Sequence, residues 1–195
     1  MRSMLRSRTR ARTRHGNKKE VVQHFYHKDL SVPIWAIFEI LTLGEFGNCF
    51  SCLNYPIRNA VSKSLGLHQA FDTDAFLTKR IIFAIKDLRN AVAHNDVIFD
   101  TRFARSSVDS TLSKLLVAET GIRNVDFKSI TDYVILVVYL LKCFGVPKTE
   151  MKRFLADVQL IMEDFRSNVP HTISAKAIPT DTRGKMNDLL KFISK

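Results

Sequence analysis

Residues Ile130 to Val146 form a largely apolar run interrupted by Asp132 and Lys142. The run falls short of the ~20 apolar residues that a membrane-spanning helix requires, and Gly145-Val146-Pro147 stops it. A buried helix over Asp126 to Phe144 is therefore predicted, and it stays out of water only if amphipathic elements cover it. The flanking sequence supplies them. Phe154, Leu155, Val158, Ile161, Met162 and Phe165 recur at helical spacing over Met151 to Phe165, and a last amphipathic helix ends at Ile193. The polar, proline-containing stretch from Ser167 to Asp181 reads as the connection between them.

Upstream, amphipathic stretches are expected over Lys19 to His27, Pro33 to about Leu43, and Asn48 to Leu65 with an irregularity at Pro56. Gly44 and Gly47 are read as breaks, and Gly66 as a stop. Asp72 or Thr73 can cap a helix whose stripe Phe76, Ile82, Ile85, Leu88 and Val92 leads to His94. Asn95 to Arg105 reads as a loop, and Val108 to Val117 as a short helix ended near Gly121. With 7 glycines and 5 prolines in 195 residues and no strand pair bracketing a hairpin turn, the expected fold is all-α. It comprises a basic arm over residues 1–19 and one helical domain over residues 20–195.

Charge is unevenly distributed. The net charge is +11, and Arg2, Arg6, Arg8, Arg10, Arg12, Arg14, Lys18 and Lys19 stand in the first 19 residues without an acid, leaving +3 for the rest. Arg6, Arg8, Arg10, Arg12, Arg14, Lys18 and Lys19 are the candidate RNA contacts, since such an arm grips phosphates by releasing counterions; a solvated tail is the plainer reading. A DNA-reading helix-turn-helix would need a turn and a basic second helix together, and no segment has both.

Three cysteines, Cys49, Cys52 and Cys143, are too few for a disulfide framework. Together with the lack of a spanning, lipidation or secretory signal, they point to a reducing, cytoplasmic setting away from membranes. Cys49-Phe-Ser-Cys52 has the spacing of half a zinc site, but no second pair completes it, so buried thiols on a helix are expected. The dispersed His15, His24, His27, His68 and His171 likewise call for no metal or other cofactor.

Chemistry concentrates in Arg89-Asn90-Ala91-Val92-Ala93-His94-Asn95. Asn90 and His94 are four residues apart and share a helix face, which Arg89 reaches from the side. Cleavage of RNA without a metal needs a base for the 2′-OH proton, an acid for the leaving 5′-oxygen and a cation for the phosphorane. His94 and Arg89 suit those roles. One histidine cannot serve both sides of the phosphate, so two copies of the motif are expected to face each other in a homodimer formed through this helix. The plain alternative pairs Arg89 with Asp87 or Asp96 and leaves His94 and Asn95 to end the helix.

The Arg89–His94 segment resembles the motif of the HEPN superfamily, an Arg followed by a polar residue and, a few positions on, by His. More narrowly, Leu30-Ser-Val-Pro-Ile-Trp-Ala-Ile-Phe-Glu39, Leu41-Thr-Leu-Gly44 and Leu88-Arg-Asn-Ala-Val-Ala-His-Asn95 resemble, in order and spacing, the Abi-like family of bacterial abortive-infection proteins. The resemblance spans roughly residues 20 to 165. It implies a HEPN-type helical bundle with additional C-terminal helices, homodimeric, acting as a metal-independent endoribonuclease in phage defence. A neutralising antitoxin or a phage trigger would be its partners. Carried over by position, Arg89, His94 and Asn90 are catalytic, Glu39 and Asn95 support them with Glu39 orienting Arg89, and Trp35 packs in the core or at an interface. The family's segment often holds a cysteine where Val92 or Ala93 stands here. The alternative function is a non-catalytic helical module that binds nucleotide, RNA or protein.

Overall fold

The computed structural model describes residues 20–67, 69–93 and 108–195, and every described element is a helix. In chain order these are α1 (Glu20–His27), α2 (Ile34–Ile40), α3 (Leu43–Ser51), α4 (Tyr55–Ser64), α5 (Leu77–Ala93), α6 (Ser110–Thr120), α7 (Ile130–Cys143), α8 (Lys148–Asn168), α9 (His171–Ala177) and α10 (Thr182–Ser194). The chain divides into two units at Phe50/Ser51. The all-α expectation holds. Among the described residues no helix is long and apolar enough to cross a membrane.

In the first unit, α2 starts directly after Pro33, whose fixed φ suits a helix entrance. The rings of Phe25 and Trp35 meet edge to face at 5.8 Å, tying α1 to α2. Of the two places expected for Trp35, the core is excluded, for it is 56% exposed; the buried side of α2 belongs to Ala36 and Ile40. The reading of Gly44 and Gly47 as breaks is also corrected, because both lie inside α3. Thr42 Oγ1 accepts from the Glu45 N–H at 3.2 Å while Glu45 Oε2 accepts from the Thr42 N–H at 3.0 Å. This reciprocal capping box secures the first turn of α3 against the ~1 kcal/mol that each internal glycine costs.

The second unit is built around α7. Tyr133, Ile135, Leu136 and Val138 are fully buried, each worth roughly 1.5–3 kcal/mol of transfer free energy, and α5, α6, α8 and α10 all pack on this helix. The centrality expected from the apolar run is thus observed. In place of one helix from Asn48 to Leu65, the chain breaks between α3 and α4. Asn54 Oδ1 caps α4 by accepting from the Ile57 N–H at 3.2 Å, and Pro56 stands in its first turn rather than within a longer helix. The stretch Ser167 to Asp181, read as a connection, contains α9, which follows Pro170 and buries Ser174. Gly121 and Gly145, at φ +76° and +73°, end α6 and α7 in the left-handed region that glycine enters without a Cβ penalty.

The turn before α7 is held from beneath. Asp132 Oδ2 accepts from the backbone N–H groups of Asp126 and Phe127 at 3.0 and 2.9 Å, and Asp132 Oδ1 accepts from Lys185 Nζ of α10 at 2.8 Å. Lys185 also donates to the Asn124 carbonyl at 2.7 Å and pairs with Asp181 at 3.1 Å. Burial pushes the Asp132 carboxyl up against these bonds. Burial also works against the Lys185 ammonium, but the bonds to Asp132 and Asp181 outweigh it and hold its pKa above the ordinary lysine value.

Candidate functional site

Helix α5 carries the candidate site at its C-terminal end. Its inner stripe buries Leu77, Thr78, Ile81, Ile82, Ala84 and Ala91, with Ile85 and Leu88 packed at the edge of the core. The stripe predicted to continue to Val92 stops one residue earlier, for Val92 is 57% exposed. Burial of Ala91 turns the neighbouring Arg89 outward, and Ala93 is exposed beside it.

Arg89 does not pair with Asp87, as the plainer reading allowed; Asp87 is taken by Lys86 at 3.1 Å. The Arg89 guanidinium instead donates through Nη1 to Asn90 Oδ1 at 3.3 Å. That bond commits the amide oxygen of Asn90 to the arginine and leaves the amide NH2 as a pair of donors. Among the described residues, the two side chains together offer an anion or a phosphate ester the N–H groups of a guanidinium and of an amide at the helix end. Among the described residues no carboxylate pairs with Arg89.

The other candidate residues are distributed as follows. His94, Asn95 and Asp96 lie outside the described residues, as do Arg6, Arg8, Arg10, Arg12, Arg14, Lys18 and Lys19. Glu39 is exposed on α2 in the first unit. Among the described residues, no three His, Cys, Asp or Glu side chains group so as to hold a metal ion. The expectation of buried cysteines is corrected: Cys49 is half-buried, and Cys52 and Cys143 are exposed.

At the other end of α5 stands a clamp that the sequence reading did not find. Arg80 donates to Asp74 in a two-armed bond at 3.0 and 3.0 Å, to Asp109 at 2.9 Å and to Asp72 at 3.3 Å. Asp72 and Asp74 also take the Leu77 and Phe76 N–H groups, which caps α5. The Arg80 bond holds the Asp74 carboxyl well below the usual carboxylate range, while burial pushes that of Asp72 up. The bond to Thr111, with Arg80 behind it, lowers Asp109. Beside this clamp runs a groove of about 350 Å³ lined by Phe76, Lys79, Arg80, Phe83, Asp87 and Val108. Its signal in the sequence is the alternation of Phe76, Lys79, Phe83 and Lys86 at spacings that fall on one helix face.

A family model described as Abi-like protein matches residues 2–100. The chain belongs to the Abi-like protein family. The matched region takes in Leu30 to Glu39, the capping box at Thr42 and the Arg89–Asn95 segment, and α6 to α10 lie beyond it. No curated protein and no solved structure matches the chain. Membership supports a role for this Abi-like protein related to abortive infection, and the residues at the end of α5 fall within the part that carries the family likeness.

Proposed function

We propose that this Abi-like protein is a metal-independent endoribonuclease of HEPN type, acting in phage defence. The observation that carries the proposal is the state of Arg89: exposed, bonded to Asn90 at 3.3 Å, and without a carboxylate among the described residues to neutralise it. A surface arginine held against an amide, five residues before a histidine in the sequence, suits a phosphodiester better than it suits a structural ion pair.

In the proposed reaction a base, His94 of one chain, takes the proton of a 2′-OH, and the freed oxygen attacks the adjacent phosphorus. Arg89 and the Asn90 amide N–H groups hold the charge that builds on the phosphoryl oxygens. A protonated His94 from a second copy gives its proton to the departing 5′-oxygen. The P–O5′ bond breaks as the P–O2′ bond forms, leaving a 2′,3′-cyclic phosphate and a 5′-hydroxyl. A homodimer through α5 therefore belongs to the proposal, and the exposed Val92 and Ala93 beside Arg89 give such an interface an apolar margin. A neutralising partner or a phage-derived trigger would act by covering or releasing this surface.

The test is incubation of the purified full chain with total RNA and with tRNA in EDTA, beside Arg89→Ala, Asn90→Ala and His94→Ala, with analysis of product ends. EDTA-resistant cleavage ending in cyclic phosphates, lost in the arginine and histidine variants, is expected. Folded, dimeric wild type that cuts no RNA under any of these conditions would replace the proposal with a non-catalytic binding module.

A further inference from the structure

The face of α5 that leads toward Arg89 alternates aromatic rings and amines. Phe76, Lys79, Phe83 and Lys86 follow one another at intervals of three and four residues, and Asn90 continues the series; at 3.6 residues per turn these positions lie along one side of the helix. The Lys79 ammonium sits 5.2 Å from the Phe76 ring centre and 5.8 Å from that of Phe83, and Lys86 sits 4.9 Å from Phe83 on the next turn. Arg58 covers Phe76 at 4.0 Å, so Phe83 is the ring of the series that only lysines attend among the described residues.

The acids near this face are already engaged. Asp72, Asp74 and Asp109 are directed at Arg80, and Asp87 is paired with Lys86. Among the described residues none pairs with Lys79, whose flexible stem can carry the ammonium from the rings to a phosphate. The groove of about 350 Å³ beside these side chains is lined by Ala84 and Val108 as well as by the paired Arg80, Asp87 and Asp109, so it offers a base both an apolar surface and polar edges. Rings seven residues apart stand about 10 Å apart along the axis, three times the ~3.4 Å separation of stacked nucleotides. They therefore suit bases of a splayed strand and not a paired helix, whose base faces are hidden.

We propose that this stripe is a binding track for single-stranded RNA, with unpaired bases on Phe83 and in the groove toward Phe76. Lys79, and Lys86 on leaving its Asp87 partner, hold the intervening phosphates, and the strand runs on to Arg89 and Asn90. The proposal rests on the nuclease reading for the identity of the ligand as RNA, and it assigns the substrate class as unpaired strand.

The test measures binding apart from cutting. A fluorescein-labelled, unstructured 12-nucleotide RNA with every 2′-OH methylated is titrated by anisotropy into the full chain and into Phe83→Leu, Lys79→Gln, Lys86→Gln and, as a control at an exposed ring outside the stripe, Phe144→Leu. The same sequence annealed to its complement is the competitor. Phe83→Leu is expected to weaken binding about tenfold, within the range of one base–aromatic stack. Each lysine variant should flatten the slope of log K against log salt by about 0.7, while the control binds as wild type and the duplex competes poorly. Circular dichroism checks that Phe83→Leu stays folded, and the surface lysine variants keep the test open if it does not.

Wild-type binding that is indifferent to all three α5 variants overturns the track, as does duplex binding equal to that of the single strand or no binding at all. The two readings part cleanly. Binding with the expected losses but no cleavage of unmodified RNA retains the track and removes the nuclease; cleavage lost in His94→Ala but insensitive to Phe83→Leu and Lys79→Gln does the reverse.

Discussion

Replacing Asp132 by alanine tests how far the second unit depends on one buried carboxylate. Asp132 is wholly buried and Lys185 is 7% exposed, so the substitution strands an ammonium in the core with only the Asn124 carbonyl and Asp181 for partners. It also orphans the N–H groups of Asp126 and Phe127. These belong to a turn in which Asn124 and Phe127 hold φ of +58° and +59°, a left-handed region that non-glycine residues enter at a cost. Removing one member of a buried pair costs about 3–5 kcal/mol, against a whole-domain stability of about 5–15 kcal/mol. With a urea m-value of about 2 kcal/mol/M, the midpoint followed by far-ultraviolet circular dichroism should fall by about 2 M. Asp132→Asn keeps one acceptor for the turn but turns an amide toward Lys185, and should fall between wild type and alanine. Adding Lys185→Met to Asp132→Ala removes the stranded charge, so the double variant should lose at least about 1 kcal/mol less than the two single losses together. A midpoint shift below about 0.5 M for Asp132→Ala, or strict additivity in the double variant, would refute the reasoning.

Three further outcomes are expected. Asp74 and Asp109 have lowered folded pKa values, so the stability they confer is present above the unfolded carboxylate value of about 3.9 and is lost as pH falls through the lowered ones. Asp72, raised by burial, acts in the opposite sense and blunts that slope. Arg80→Gln should therefore cost about 1 kcal/mol at neutral pH, discounted for solvent screening, and keep much of that cost at pH 3, since the Asp74 carboxyl is held well below the usual carboxylate range; melting curves in which the cost is already gone at pH 3 would contradict this. Thr42→Ala removes half of the capping box and should destabilise α3 by about 1 kcal/mol, visible as faster amide exchange confined to residues 43–51. Arg89→Lys keeps the charge and loses the fork, so RNA cleavage should fall about 100-fold or more with the melting temperature unchanged; full activity in this variant would remove Arg89 from the phosphate.

What was legible in the sequence depended on how local its cause is. Helix α7 declared itself because its apolar run and its stop at Gly145 and Pro147 are contiguous, whereas on α5 the expected stripe meets the buried face only at Ile82, with Ile85 and Leu88 at the edge of the core. The start of α3 lies in Thr42-Leu-Gly-Glu45, a capping pattern that outweighs the break Gly44 and Gly47 suggest. Helix α9 was missed since a seven-residue element gains its stability from packing, seen in buried Ser174 and Ile178, rather than from its own periodicity. At the site, the nearness of Arg89 and Asn90 was legible because they adjoin in the sequence. The Arg80 clamp was not, for Asp109 is 29 residues away and only the packing of α6 on α5 brings it near. The exposure of Trp35 and of the cysteines likewise follows from how helices are covered, which residue type alone does not fix.

Trp35 is the chain's one tryptophan, and its indole lies largely open on α2 in the first unit. Its emission is therefore a built-in optical label for that unit alone, separable from the far-ultraviolet signal to which the more numerous helices of the second unit contribute most. A blue shift on adding a second protein, an RNA or more of the same chain would report that the α2 surface has been covered. Quenching by iodide, measured with and without each addition, would give the fraction of molecules in which that has happened.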